Sequence, residues 1–214
     1  MQKIGFIIVS LVLSSCATPP KDIAPPVVMD TWVANINVDE FTDKKTCTIS
    51  LKDVGTEDAF ALIHRQYVPY VEVVEGDLHV GIKSDDSKSP FAVGDVQLRI
   101  DKNPMWNINT SETPLGDYDT SELRDFEIGM EGMPEESLAM ARSIRKKALE
   151  SIMRSESTFT ATSGNKALSI VRQMYLGDKL RFRVPRGGNS EMFSSVHALG
   201  ASFKVAADKC NIKL

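Results

Sequence analysis

Tyr70-Val-Glu-Val-Val-Glu75-Gly76-Asp77-Leu-His79-Val-Gly-Ile82 is the stretch on which the fold turns. β-Forming residues alternate with polar ones on both sides of Glu75-Gly76-Asp77, where glycine takes positive φ without steric cost, so the pattern predicts a β-hairpin. The same period of two recurs further along. Val96, Leu98 and Ile100 alternate with Gln97, Arg99 and Asp101, while Leu180, Phe182 and Val184 alternate with Arg181 and Arg183 until Pro185 ends the run. Each reads as a strand with one buried face. Ile36/Val38, Thr46–Leu51, Phe60–Arg65 and Ser157–Thr162 are further strand candidates, and Ala167–Leu176 fits a strand or a helix.

Residues 135–154 break the rule. Pro134 precedes Glu135 and Glu136 at the positive end of a helix dipole, bases follow, and Leu138, Ala141, Ala148, Leu149 and Ile152 share one side at helical spacing. A long amphipathic helix packed by that side is expected. Arg145 falls within the stripe, either snorkelling or ion-paired at its edge, or contacting an anion beneath the helix. A short helix around Ser202–Lys209, with Phe203, Ala206, Ala207 and Cys210 inward, completes an α+β domain made mainly of antiparallel sheet or sandwich.

The chain has 214 residues, 42% of them hydrophobic, and a net charge of −4. That suits one folded domain over 30–214 and argues against both disorder and nucleic-acid binding, which draws on a basic excess. Upstream, Lys3 leads an apolar run from Ile4 to Leu13, about half of the roughly 20 residues that span a bilayer, and small residues follow at once. Residues 1–15 therefore read as a signal peptide. Leu13-Ser14-Ser15-Cys16 resembles the lipobox of bacterial lipoproteins. The resemblance implies cleavage before Cys16, diacylglyceryl transfer to its sulfur and acylation of the new amino terminus. Each buried methylene contributes about 0.8 kcal/mol, so two or three chains hold the protein firmly to a membrane. Ala17, where the enteric pattern puts Asp for inner-membrane retention, implies the outer membrane. Residues 16–29 hold Pro19, Pro20, Pro25 and Pro26 and form a tether that reaches on the order of 40 Å at about 3.1 Å per residue.

With Cys16 acylated, Cys47 and Cys210 are the remaining thiols in an oxidising compartment. They are expected to pair, the alternative being two separate thiols. The loop from 47 to 210 is long enough for a bridge to contribute roughly 5 kcal/mol in the chain-entropy limit. Trp32, the Cys47 strand and the ending Phe193…Leu199-Gly200-Ala201-Ser202-Phe203…Ala206-Ala207 are similar to the small periplasmic domains of the invasion-associated locus B type. That implies a β-sandwich-like envelope protein without established catalysis, although the helix at 135–154 departs from the pattern.

Signatures of catalysis and of cofactor binding are missing: no nucleophile elbow, zincin, Cys-x-x-Cys, P-loop or dinucleotide motif occurs. Ser143–Lys146 and Ser163–Lys166 match Ser-x-x-Lys at the frequency chance gives. His64, His79 and His197 sit in different elements, with His79 expected to face solvent, and no metal site is assigned. Glu112–Glu136 carries nine acids against Arg124 alone, an irregular excursion without calcium-loop spacing. Lys179, Arg181, Arg183 and Arg186 are the candidate anion-binding group, the plainer reading being a solvated strand face. The expected role is thus a non-catalytic binding or structural module at the envelope, its partner an envelope protein, an anionic glycolipid or the acidic loop of another copy. The alternative is a small hydrolase whose residues converge only in space.

Overall fold

A computed structural model describes residues 31–52, 67–84, 91–115, 132, 134–185 and 192–214. The expected signal peptide (1–15), Cys16 and the expected tether lie outside the described residues, as do the candidate strand Phe60–Arg65, His64, Arg186 and most of the acidic excursion.

Among the described residues, two antiparallel sheets and three α-helices make an α+β fold in which strand predominates. The first sheet has the order β1-β2-β3-β4-β7, with β1 Trp32–Val38, β2 Lys45–Leu51, β3 Tyr67–Val74, β4 Asp77–Ser84 and β7 Phe159–Ser163. The second has the order β6-β5-β8-β9, with β5 Val96–Ile100, β6 Trp106–Ile108, β8 Lys179–Pro185 and β9 Met192–Ala198. The helices are α1 Glu135–Ser155, α2 Gly164–Leu176 and α3 Gly200–Lys209, and a 3-10 turn spans Thr110–Glu112.

The quoted stretch forms the β3–β4 hairpin. Val71 pairs with Val80 and Val74 with Asp77, so Glu75 and Gly76 alone make the turn. Their φ values of 51° and 98° are the left-handed pair that a two-residue hairpin needs to match strand twist. In β5 and β8 every expected apolar residue is buried and Arg99, Arg181 and Arg183 are exposed. At β4 and β7 the strands approach so closely that a Cβ on Gly81 would lie 2.7 Å from the Ala161 Cα and closer still to the Thr160 carbonyl, which is why that position carries no side chain.

Ala167–Leu176 resolves as helix. Ala167, Ile170, Val171 and Met174 are its buried positions, the i, i+3, i+4, i+7 set that a strand would split between two faces. One apolar core joins inner-face residues of both sheets to α2 and α3, through Ile49, Ile82, Leu98, Phe182, Ile170 and Phe203 among others. The sulfurs of Cys47 and Cys210 stand at disulfide distance with Cα atoms 5.6 Å apart, joining β2 to the end of α3.

The long helix is present, but its expected packing is not. α1 buries no residue; Leu138, Ala141 and Leu149 are half-buried, while Ala148 and Ile152, from the same predicted stripe, are exposed. Arg145 is exposed as well, which removes the reading of an anion contact beneath the helix. Periodicity reports that a helix has an apolar side; it does not report what covers that side.

Candidate functional site

The outer face of the second sheet gathers the basic residues. β5, β8 and β9 are antiparallel neighbours in a register that sets Arg99 opposite Arg181 and Arg181 opposite Val196 in one row, then Gln97 opposite Arg183 and Arg183 opposite Ser194 in the next. Period-two geometry turns all six side chains outward, because Leu98, Phe182 and their neighbours fill the inner face. With Met105 they line a shallow trough of about 350 Å³ in which no carboxylate of the described residues takes part.

The turn after β5 holds two of the three guanidinium groups in place. Arg99 donates from Nε to the Asn103 carbonyl (3.0 Å) and from Nη2 to that of Lys102 (3.4 Å), and Arg181 donates from Nη1 to that of Asp101 (3.2 Å). Asp101 is the nearest acid in sequence, yet its carboxylate accepts the backbone N–H groups of Asp178 (3.0 Å) and Lys179 (2.9 Å). It acts as a turn clamp. A guanidinium has five N–H donors, so these contacts leave Arg99 and Arg181 with donors to spare. Like charges directly opposite on a sheet oppose its stability, and here an Arg–Arg pair with a third arginine one row away is retained.

Of the residues expected to bind an anion, Arg181 and Arg183 therefore meet in the trough. Lys179 is exposed on the same side of β8, one row beyond, opposite Ala198. Arg99 was missed. Its signal was in the sequence as the polar side of the β5 alternation, but the pairing of β5 with β8 across some 80 positions is not written in either segment.

The histidines do not converge among the described residues. His79 is half-buried in the first sheet, opposite Glu72, which accepts a hydrogen bond from the Thr48 hydroxyl at 2.9 Å. His197 is 7% exposed in the second sheet, with Nε2 2.9 Å from the Ser195 hydroxyl. Serine and histidine are thus within hydrogen-bond reach, but two residues apart on one strand they share the inner face. The imidazole stacks on Phe182 with ring centres 5.7 Å apart. Ser195 is among the residues that line the trough, while the imidazole is buried against Phe182 beneath it.

A second polar cluster is structural. Glu112 takes Lys166 on both oxygens (2.8 and 2.7 Å), the Asn109 N–H on one (3.0 Å) and the Thr162 hydroxyl on the other (2.8 Å). This clasp joins the 3-10 turn to β7 and α2. Partial burial pushes the Glu112 carboxyl up, but the Lys166 ammonium and the two donors outweigh it and hold the group below its ordinary value of 4.5. A depressed carboxylate contributes stability that is present above 4.5 and is lost as pH falls through the folded-state value. Glu112→Gln should thus be less stable than the parent by about 1–2 kcal/mol at neutral pH. Denaturant titrations should show the gap closing below about pH 4.5; a constant gap down to pH 3 would exclude the clasp. Lys166 of the second Ser-x-x-Lys match is committed to this ion pair.

No metal-competent group of His, Cys, Asp and Glu is found among the described residues, and none of their helices is long and apolar enough to cross a membrane. The chain matches no family model, no curated protein and no solved structure.

Proposed function

We propose that this chain is a lipid-anchored protein of the bacterial outer membrane that acts by binding rather than by catalysis. Acyl chains on Cys16 hold it to the membrane, residues 17–29 space the domain away from the surface, and the outer face of the second sheet grips an anionic envelope glycolipid. One observation carries the binding reading: Arg99, Arg181 and Arg183 line a trough that contains no carboxylate among the described residues, at the electrostatic cost of facing like charges. Phosphate is the group that fits. Guanidinium forks donate paired hydrogen bonds to phosphate oxygens, and Gln97 and Ser194 at the same level add neutral donors for sugar hydroxyls. Catalysis by Ser195 and His197 would require a substrate to enter where Phe182 is stacked.

The test is calorimetric titration with a phosphorylated glucosamine disaccharide as probe. Arg181→Ala/Arg183→Ala should weaken binding about 100-fold or more, since each of the two lost charge-assisted hydrogen bonds is worth roughly 1.5–3 kcal/mol. Added salt should weaken the parent more than the variant. Equal affinity of parent and variant, or equal binding of the unphosphorylated disaccharide, would exclude the trough as a phosphate site. An acidic envelope protein that competes with the disaccharide would place a protein partner on the same face.

A further inference from the structure

Helix α1 is 21 residues long, about 31 Å at the helical rise, and buries none of them. Its last turn ties it to the rest of the fold, where Arg154 donates from Nε to the Thr113 carbonyl at 3.2 Å. Met140, Ile144, Ala148 and Ile152 recur every fourth residue and make a continuous ridge on the outside; Met140 is 68%, Ile144 59% and Ile152 52% exposed. A ridge of apolar side chains on the exposed side of a helix is costly in water unless something covers it.

The charges around the ridge indicate what does. At about 100° per residue, Lys147 borders the ridge beside Met140 and Arg145 borders it beside Ile152. Glu135 and Glu150 fall on the far side, where each is already paired with a base, Arg142 at 3.2 Å and Arg154 at 3.4 Å, and Glu136 stands one turn before Met140 at the N-terminal end of the ridge line. The helix holds five bases against three acids, although the whole chain is at −4. An apolar ridge edged by bases along its length, with an acid only at its N-terminal end, matches a helix lying in the plane of an anionic bilayer: apolar groups sink to the acyl boundary and bases reach lipid phosphates. A second copy of the same helix would instead bring Lys147 and Arg145 against their own kind.

The geometry points to the Met140–Ile152 ridge of α1 as a membrane-contact surface for an anionic lipid leaflet. It draws neither on acylation of Cys16 nor on the arginine trough. The test is hydrogen exchange on the full chain, alone, with phosphatidylcholine vesicles and with vesicles of equal parts phosphatidylglycerol and phosphatidylcholine. Peptides covering 135–155 should exchange about ten-fold or more slowly with the anionic vesicles only. Ile144→Ser/Ile152→Ser should abolish the slowing, and because α1 buries nothing the variant keeps its fold. Three results would overturn the assignment: no slowing in α1, equal slowing with phosphatidylcholine alone, or slowing that rises with protein concentration in the absence of lipid, which would assign the ridge to a second copy. Attachment through the leader or its acyl chains without contact by α1 would protect other peptides and leave these unchanged.

Discussion

Cys47→Ala/Cys210→Ala lowers the free energy of unfolding by up to about 5 kcal/mol, the largest loss expected of any small set of substitutions in this chain. The bridge closes a sequence separation of 163 residues, and the entropy that a crosslink removes from the unfolded ensemble grows with the loop. It also joins elements far apart in sequence: β2 lies inside the first sheet, and Cys210 caps the C-terminal end of α3. Both half-cystines are buried, so reduction leaves two small apolar side chains in place and the loss falls mainly on the unfolded state. Urea unfolding of parent and variant measures it. A loss under about 1 kcal/mol would mean that the bond does not constrain the unfolded chain.

Phe203→Ala follows at about 3–5 kcal/mol. The ring is fully buried and meets Trp32 edge to face, with centres 5.2 Å apart. Trp32 is itself pinned: its indole N–H donates to the Ala198 carbonyl (2.7 Å) and its backbone N–H to the Ser202 hydroxyl (3.2 Å). Neither side can collapse into the space that a missing phenyl ring leaves, so the cavity term persists. Phe203 and Cys210 sit on one helix, so the two losses should fall short of additivity when combined. Thermal or urea unfolding of the single and combined variants tests this. Full additivity would show that α3 docks through the ring and through the sulfurs independently.

Sequence carries the faces of elements better than their neighbours. The alternation of 96–100 and 180–184 was readable because each strand buries one side and wets the other, and the Glu75-Gly76 turn because few residues accept positive φ. Ala167–Leu176 stayed open since a short apolar run satisfies both periods until burial selects one. The Arg99–Arg181 row depends on strand order, a property of the assembled sheet, so Arg181 and Arg183 of the basic trough were legible and Arg99 was not. α1 shows the converse. Its amphipathic stripe was plain, and burial against the core was the natural inference, yet the structure leaves Ala148 and Ile152 of that stripe outside. His197 illustrates a third case, in which a residue type suggestive of chemistry is consumed by packing against Phe182.

The lipid at Cys16 is the claim from which compartment, tether and oxidising environment all follow, and intact mass measurement of the chain extracted from bacterial membranes tests it most directly. The expected mass corresponds to a chain beginning at Cys16 and bearing a diacylglyceryl group with an acylated amino terminus, and Cys16→Ala should both remove that increment and release the protein from the membrane. A mature protein that keeps residues 1–15, carries no acyl mass and is recovered in the soluble fraction with Cys47 and Cys210 reduced would contradict it.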